Sequence, residues 1–83
     1  MFYTYILHSA TLDRYYIGYS ENPEKRLAER HNVGSVKATR AGIPYVLKKK
    51  KAFESELEAV REERRLKKMK SRLYLERIIA GTW

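Results

Sequence analysis

The sequence contains no cysteine, so disulfides and thiolate-held metals are excluded. Two histidines are too few for a histidine-built zinc centre. No apolar run approaches the roughly 18 residues that a membrane-crossing helix needs. Met1 to His8 has neither a basic start nor a small-residue cleavage pattern, so it does not read as a signal peptide. Acidic side chains are the minority, ten Asp+Glu against eighteen Lys+Arg. These absences leave a soluble, cytoplasmic protein as the expectation. The 83 residues fit one domain over 1–83.

The net charge of +8 is unevenly spread. Residues 1–34 carry four basic and four acidic side chains and hold five of the seven tyrosines. Residues 35–51 carry Lys37, Arg40 and Lys48 to Lys51 without an acid. Residues 52–60 carry only Glu54, Glu56 and Glu58, and residues 61–83 are basic again. A neutral, tyrosine-rich segment is thus followed by strongly basic ones. Such a surface attracts polyanions, nucleic acid first among them. The same charge also suits plain solubility.

Phe2 to His8 and Arg14 to Tyr19 are aromatic and β-branched and predict two strands of a hairpin. Strand alternation puts Tyr3, Tyr5 and Leu7 on one face and Phe2, Thr4 and Ile6 on the other. Asn22-Pro23-Glu24 predicts a helix start, with Asn capping, Pro in the first turn and Glu at the positive dipole end. That helix should end near His31. Asn32 to Gly42 reads as a basic loop, and a third strand should follow Pro44. Its lysine run suits an exposed edge, where lysine blocks further pairing. Ser55-Glu56-Leu57-Glu58 is a capping box for a second helix reaching about Lys70. Ser71 starts a short third helix through Leu75, Ile78 and Ile79, ended by Gly81. The order β-β-α-β-α-α predicts an α+β domain, helices packed on a small antiparallel sheet.

Two tyrosine triplets fall on the adjacent strands, Tyr3-Thr4-Tyr5 and Tyr16-Ile17-Gly18. Arg26 follows one turn into the first helix, and Glu62-Glu63 lie in the second. Taken singly, each has an ordinary structural explanation. Tyrosine is a good strand residue, and Glu63 can pair with Lys67 at i+4. Tyr45 and Tyr74 read as packing residues.

Taken together these residues resemble the GIY-YIG nuclease family, as a small standalone member related to the N-terminal nuclease domain of the DNA-repair excinuclease. The second triplet is complete and the first matches at its last tyrosine, Tyr5. The resemblance continues through Asn22-Pro23-Glu24-Lys25-Arg26-Leu27, His31-Asn32, Gly34 and Lys37-Ala38-Thr39-Arg40. It runs on through Gly42-Ile43-Pro44 and Glu58-Ala59 to Lys70-Ser71-Arg72. It covers nearly the whole chain and implies a three-stranded antiparallel sheet with flanking helices.

The resemblance implies a metal-dependent endonuclease acting on DNA, of repair or recombination type and structure-selective. The catalytic set is Tyr5, Tyr16, Arg26 and Glu63. Glu63 would hold one Mg²⁺ or Mn²⁺, arginine suits phosphate bidentately, and Tyr16 would serve as base with Tyr5 in support. An unperturbed phenol titrates near about 10, so that base needs positive charge nearby, which Arg26 and a metal could bring. Helical periodicity places Glu62 and Glu63 on the same arc, so Glu62 stays in reserve. Tyr3 also stands outside the set. His31 comes one residue later than the family's helix histidine, a step of about 100° round an α-helix, and reads equally as a cation at the helix end. His8 reads as structural. Tyr19, Lys37, Arg40, Lys48, Lys70 and Arg72 are the expected nucleic-acid contacts. Backbone contacts of this kind carry no sequence information, so a protein partner supplying specificity is a further expectation.

Two other classes stay open. One is a basic module that binds nucleic acid without cutting it. The other is an interaction protein docking on a repair or ribonucleoprotein assembly through Ile78, Ile79 and Trp83. Against the second, Trp83 reads more readily as folding back on the core.

Overall fold

The computed structural model describes residues 1–37 and 39–83. Ala38, one residue of the quoted resemblance, lies outside the described residues. Strands β1 (Phe2–Ser9) and β2 (Arg14–Ser20) form the expected antiparallel hairpin, with Tyr5 opposite Gly18 and Leu7 opposite Tyr16. Strand β3 (Tyr45–Phe53) pairs antiparallel on the other side of β1, giving the order β2-β1-β3. The lysine-rich strand is therefore an edge, as its composition predicted. A bulge opposite Ile6 and Leu7 leaves Lys48 without a partner on β1.

The central strand is buried on both faces. Thr4, Tyr5, Ile6 and Leu7 are almost fully inaccessible. Ile6 packs with Ile17, Leu66, Leu75 and Ile78 under helices α2 (Glu56–Met69) and α3 (Arg72–Arg77). Tyr5 and Leu7 pack with Tyr45, Tyr16 and Leu27 on the opposite side. The face assignment read from alternation therefore holds.

The caps explain the helix positions. Asn22 accepts the amide N–H of Lys25 at 3.1 Å, with Pro23 following, and starts α1 (Pro23–Arg26). Ser55 accepts the amide N–H of Glu58 at 3.2 Å and donates to that residue's carboxylate at 3.0 Å. Ser71 accepts the amide N–H of Tyr74 at 3.1 Å. The helix begun by α1 does not stay α-helical. Leu27 to His31 winds as a π turn, closed by the amide N–H of Asn32 on the carbonyl of Leu27 at 2.9 Å. Asn32 then braces β3: its side chain accepts from the Tyr45 amide at 2.7 Å and donates to the Tyr45 carbonyl at 3.1 Å.

The expected docking end at Ile78, Ile79 and Trp83 is not a free surface. Ile78 is buried, and Ile79 and Trp83 pack against the core beneath α3. The Trp83 indole donates to Glu62 at 2.7 Å. Trp83 folds back on the core, as read from the sequence, because apolar side chains gain more by covering the buried cluster than by facing water. Among the described residues, no helix is long and apolar enough to cross a membrane.

Candidate active site

Tyr5 is the centre of the site and one of its most deeply buried side chains. Its ring crosses β2 at Gly18, where an added Cβ would lie 2.6 Å from the tyrosine oxygen. This is why the second triplet ends in glycine: any side chain there would displace Tyr5. The Tyr5 hydroxyl meets Nε2 of His31 at 2.9 Å, and Nδ1 of His31 meets the Thr39 hydroxyl at 3.0 Å. The Thr39 hydroxyl donates to the Val36 carbonyl at 3.3 Å. Its oxygen therefore accepts from Nδ1–H, which leaves Nε2 to accept from Tyr5. The chain runs from Tyr5 through a neutral imidazole to Thr39.

Of the two readings of His31, that of a cation at the helix end is thus corrected. It is fully buried, and burial first and Arg26 second push its pKa down to about 4. The reason is the π turn. An α-helix would have rotated this residue away from the side that carries Arg26. The wider turn absorbs one extra residue and returns the imidazole to the Tyr5 side. The Tyr16 ring packs on it as well, with centroids 5.2 Å apart.

Tyr5, Tyr16, Arg26 and Glu63 fall within reach of one another's charge. Burial, the larger effect, pushes Tyr5 up to about 12, while Arg26 pulls the other way and Tyr16 and Glu63 add to the rise. Tyr16 is raised by burial first and Glu63 second, again against Arg26. Arg26 acts on both tyrosines in the expected direction, but burial outweighs it. Glu63 pairs with Lys67 at 3.7 Å, and the Lys67 ammonium lies 5.7 Å from the Tyr16 ring centre. Lys67 escaped the sequence reading because its i+4 pairing with Glu63 accounts for it fully. Thr39 had no local signal. The displaced His31 did have one, since a histidine one residue late in a helix marks an insertion.

Glu62 points elsewhere. Arg65 grips its carboxylate through two contacts of 2.7 Å, and Trp83 adds a third. Arg65 first and Trp83 after it hold this carboxyl below the usual range. Glu62 fastens the helix layer, which leaves Glu63 as the carboxylate facing the phenols. Among the described residues, no group of three His, Cys, Asp or Glu side chains could enclose a metal. A single carboxylate still suits Mg²⁺ or Mn²⁺, since such ions keep several waters and lean on substrate phosphates.

The outlying residues are scattered. Tyr3 lies under the Lys50 ammonium, 4.9 Å from its ring centre, and Lys50 pairs with Glu24 at 2.7 Å. Tyr19 lies opposite Thr4 and shares the Ile17 face, so its ring points away from Tyr16. Lys37, Lys48 and Lys70 are exposed. Arg40 ties back to the Gly34 carbonyl at 3.0 Å. Arg72 binds the Asp13 carbonyl at 2.6 Å and its carboxylate at 2.7 Å.

A family model described as the GIY-YIG catalytic domain matches residues 1–75, a span that includes all four charge-coupled residues and His31. A UPF0213 protein of Halobacterium salinarum is 41% identical over 56 residues, covering 66% of this chain and 71% of that protein. No solved structure matches. With its paired tyrosines on adjacent strands, the helix arginine and the later glutamate, the chain belongs to the GIY-YIG catalytic domain family.

Proposed function

We propose that this chain is an endonuclease that hydrolyses phosphodiester bonds of DNA, acting as one unit over residues 1–83. The observation that carries the reading is the buried Tyr5–His31–Thr39 hydrogen-bond chain, set beside Arg26 and Glu63. A polar network of this kind is costly to bury and does nothing for packing that an apolar core would not do better. Its effect is to fix two phenols beside a phosphate-binding guanidinium.

Arg26 holds the scissile phosphate and stabilises the charge that builds on it. Tyr16, less buried than Tyr5, takes the proton of the attacking water. Tyr5 stays protonated at neutral pH and fixes the imidazole on which Tyr16 packs. A divalent ion at Glu63 would stabilise the leaving oxygen and supply the positive charge that Arg26 alone does not provide. Structure-selective cutting in repair or recombination fits a chain whose basic groups grip backbone rather than bases.

The test is a panel of plasmid, single-stranded, branched and RNA substrates with Mg²⁺, Mn²⁺ or EDTA. Metal-dependent nicking should fall about 10²–10⁴-fold in Tyr16→Phe and about 10²–10³-fold in Arg26→Ala. It should vanish in Glu63→Ala while binding persists. Undiminished cutting by Glu63→Ala would sink the assignment. Salt-dependent binding without cutting would instead mark a binding module.

A further inference from the structure

A second recess lies where β2 meets the α2–α3 junction. It is a cleft of about 260 Å³, open on one side. Ile17, Leu66 and Leu75 form its floor. Lys67 and Lys70 stand at its rim, and among the described residues Lys70 makes no ion pair. This is smaller than the roughly 300–1,000 Å³ of a drug-sized ligand site, and it suits one planar ring system.

Its wall is a stack. His8 packs on Tyr15 with centroids 4.9 Å apart, and the Arg72 guanidinium lies 5.1 Å over the same tyrosine ring. Asp13 and Glu76 neutralise Arg72 and fix its plane. A neutralised guanidinium makes a poor phosphate grip. Held beside an aromatic ring and 48% exposed, it is a planar group still open to a stacking partner. The cleft also adjoins the candidate active site, because Lys67 lines it and reaches both Glu63 and Tyr16.

We propose that this cleft receives one unpaired nucleobase of the strand being cut, stacked on Arg72 above the Ile17–Leu66–Leu75 floor, with Lys67 and Lys70 toward the flanking phosphates. The proposal rests on the nuclease reading and narrows it to substrates with an unpaired nucleotide beside the cut. A base in a closed duplex cannot enter without being flipped out. The rim charge matches a polyanion, and the floor matches a ring rather than a sugar-phosphate backbone.

The test is binding in EDTA, where nothing is cleaved. Single-stranded oligothymidylate and a blunt duplex are compared by fluorescence anisotropy. Arg72→Lys keeps the charge beside Asp13 and removes the plane. The ratio of single-strand to duplex affinity should fall about tenfold in this variant, the size of one lost base stack. An unchanged ratio overturns the proposal. In the unaltered chain, the methyl NMR signals of Ile17, Leu66 and Leu75 should shift with oligothymidylate; still methyls also overturn it. Shifts with an acidic peptide and none with the oligonucleotide would overturn it too, assigning the cleft to a protein ligand instead. Plasmid nicking by Tyr16→Phe and Glu63→Ala judges the nuclease reading separately, so the two can fail independently.

Discussion

The two faces of the sheet share one central strand and solve different problems. Beneath α2 and α3, Ile6 meets Ile17, Leu66, Leu75 and Ile78, all apolar. On the other face, Tyr5 and Leu7 meet Tyr45 and Tyr16, with His31 and Thr39 buried among them. The first face is fixed by area removed from water, about 25 cal/mol per Å². The second is fixed by hydrogen bonds whose every partner must be present, because an orphaned buried group costs about 1–3 kcal/mol. No buried side-chain polar atom among the described residues lacks a partner. Alternation along β1 thus separates stability from chemistry one residue at a time.

Damage confined to the apolar face should be the most severe. Ile6→Ala should cost about 2–5 kcal/mol of unfolding free energy in a urea titration. The fraction still folded should nick DNA at the unaltered rate so long as α2, which packs on Ile6 through Leu66 and carries Glu63, keeps its place. A fall in that rate would show that the two faces are not separable.

The polar face can be isolated through pH. His31 stays neutral in the folded chain down to about 4, against an ordinary 6.5. The unfolded chain therefore binds a proton first as pH falls. The contribution is fully present above 6.5, shrinks on the way down and is gone near 4, a total of roughly 3 kcal/mol. Asp13, Glu24 and Glu62 are also held low and add their own acid loss, but at and below their ordinary values of 3.8, 4.5 and 4.5. The window from 6.5 to 4.5 belongs to His31. His31→Gln should flatten the stability slope there and leave it unchanged only below about 4.

A milder change probes the π turn. Deleting the exposed Ala28 should convert the wide turn into an ordinary α-helical repeat with His31 still beside Tyr5. Unfolding free energy should change by less than about 1 kcal/mol, in line with exposed positions. The imidazole should keep its Nδ1–H tautomer by ¹⁵N NMR. Loss of that tautomer would mean that the wider turn, and not merely the histidine's position, is required.

What was legible in the sequence was local. Asn22, Ser55 and Ser71 announce helix starts because a cap acts within three residues of itself. Lys48 to Lys51 announce an edge because an exposed strand tolerates charge. Period-two alternation is enough to put Tyr5 on the face opposite Ile6. His31 could not be placed, because counting at 100° per residue presumes an unbroken α period that Leu27 to His31 does not keep. Thr39 is invisible locally, since its only qualification is to stand behind an imidazole eight residues earlier. Burial of Ile78, the packing of Trp83 on the core and the cleft beside Arg72 depend on how α3 docks, which no spacing along the chain encodes.

Trp83 is the sole tryptophan, and its indole is bonded to Glu62, the neighbour of Glu63 on α2. The molecule therefore carries its own optical reporter bonded to the helix that presents the candidate metal ligand. Its emission registers any shift of that helix, or any change at the Glu62 carboxylate, without an added dye.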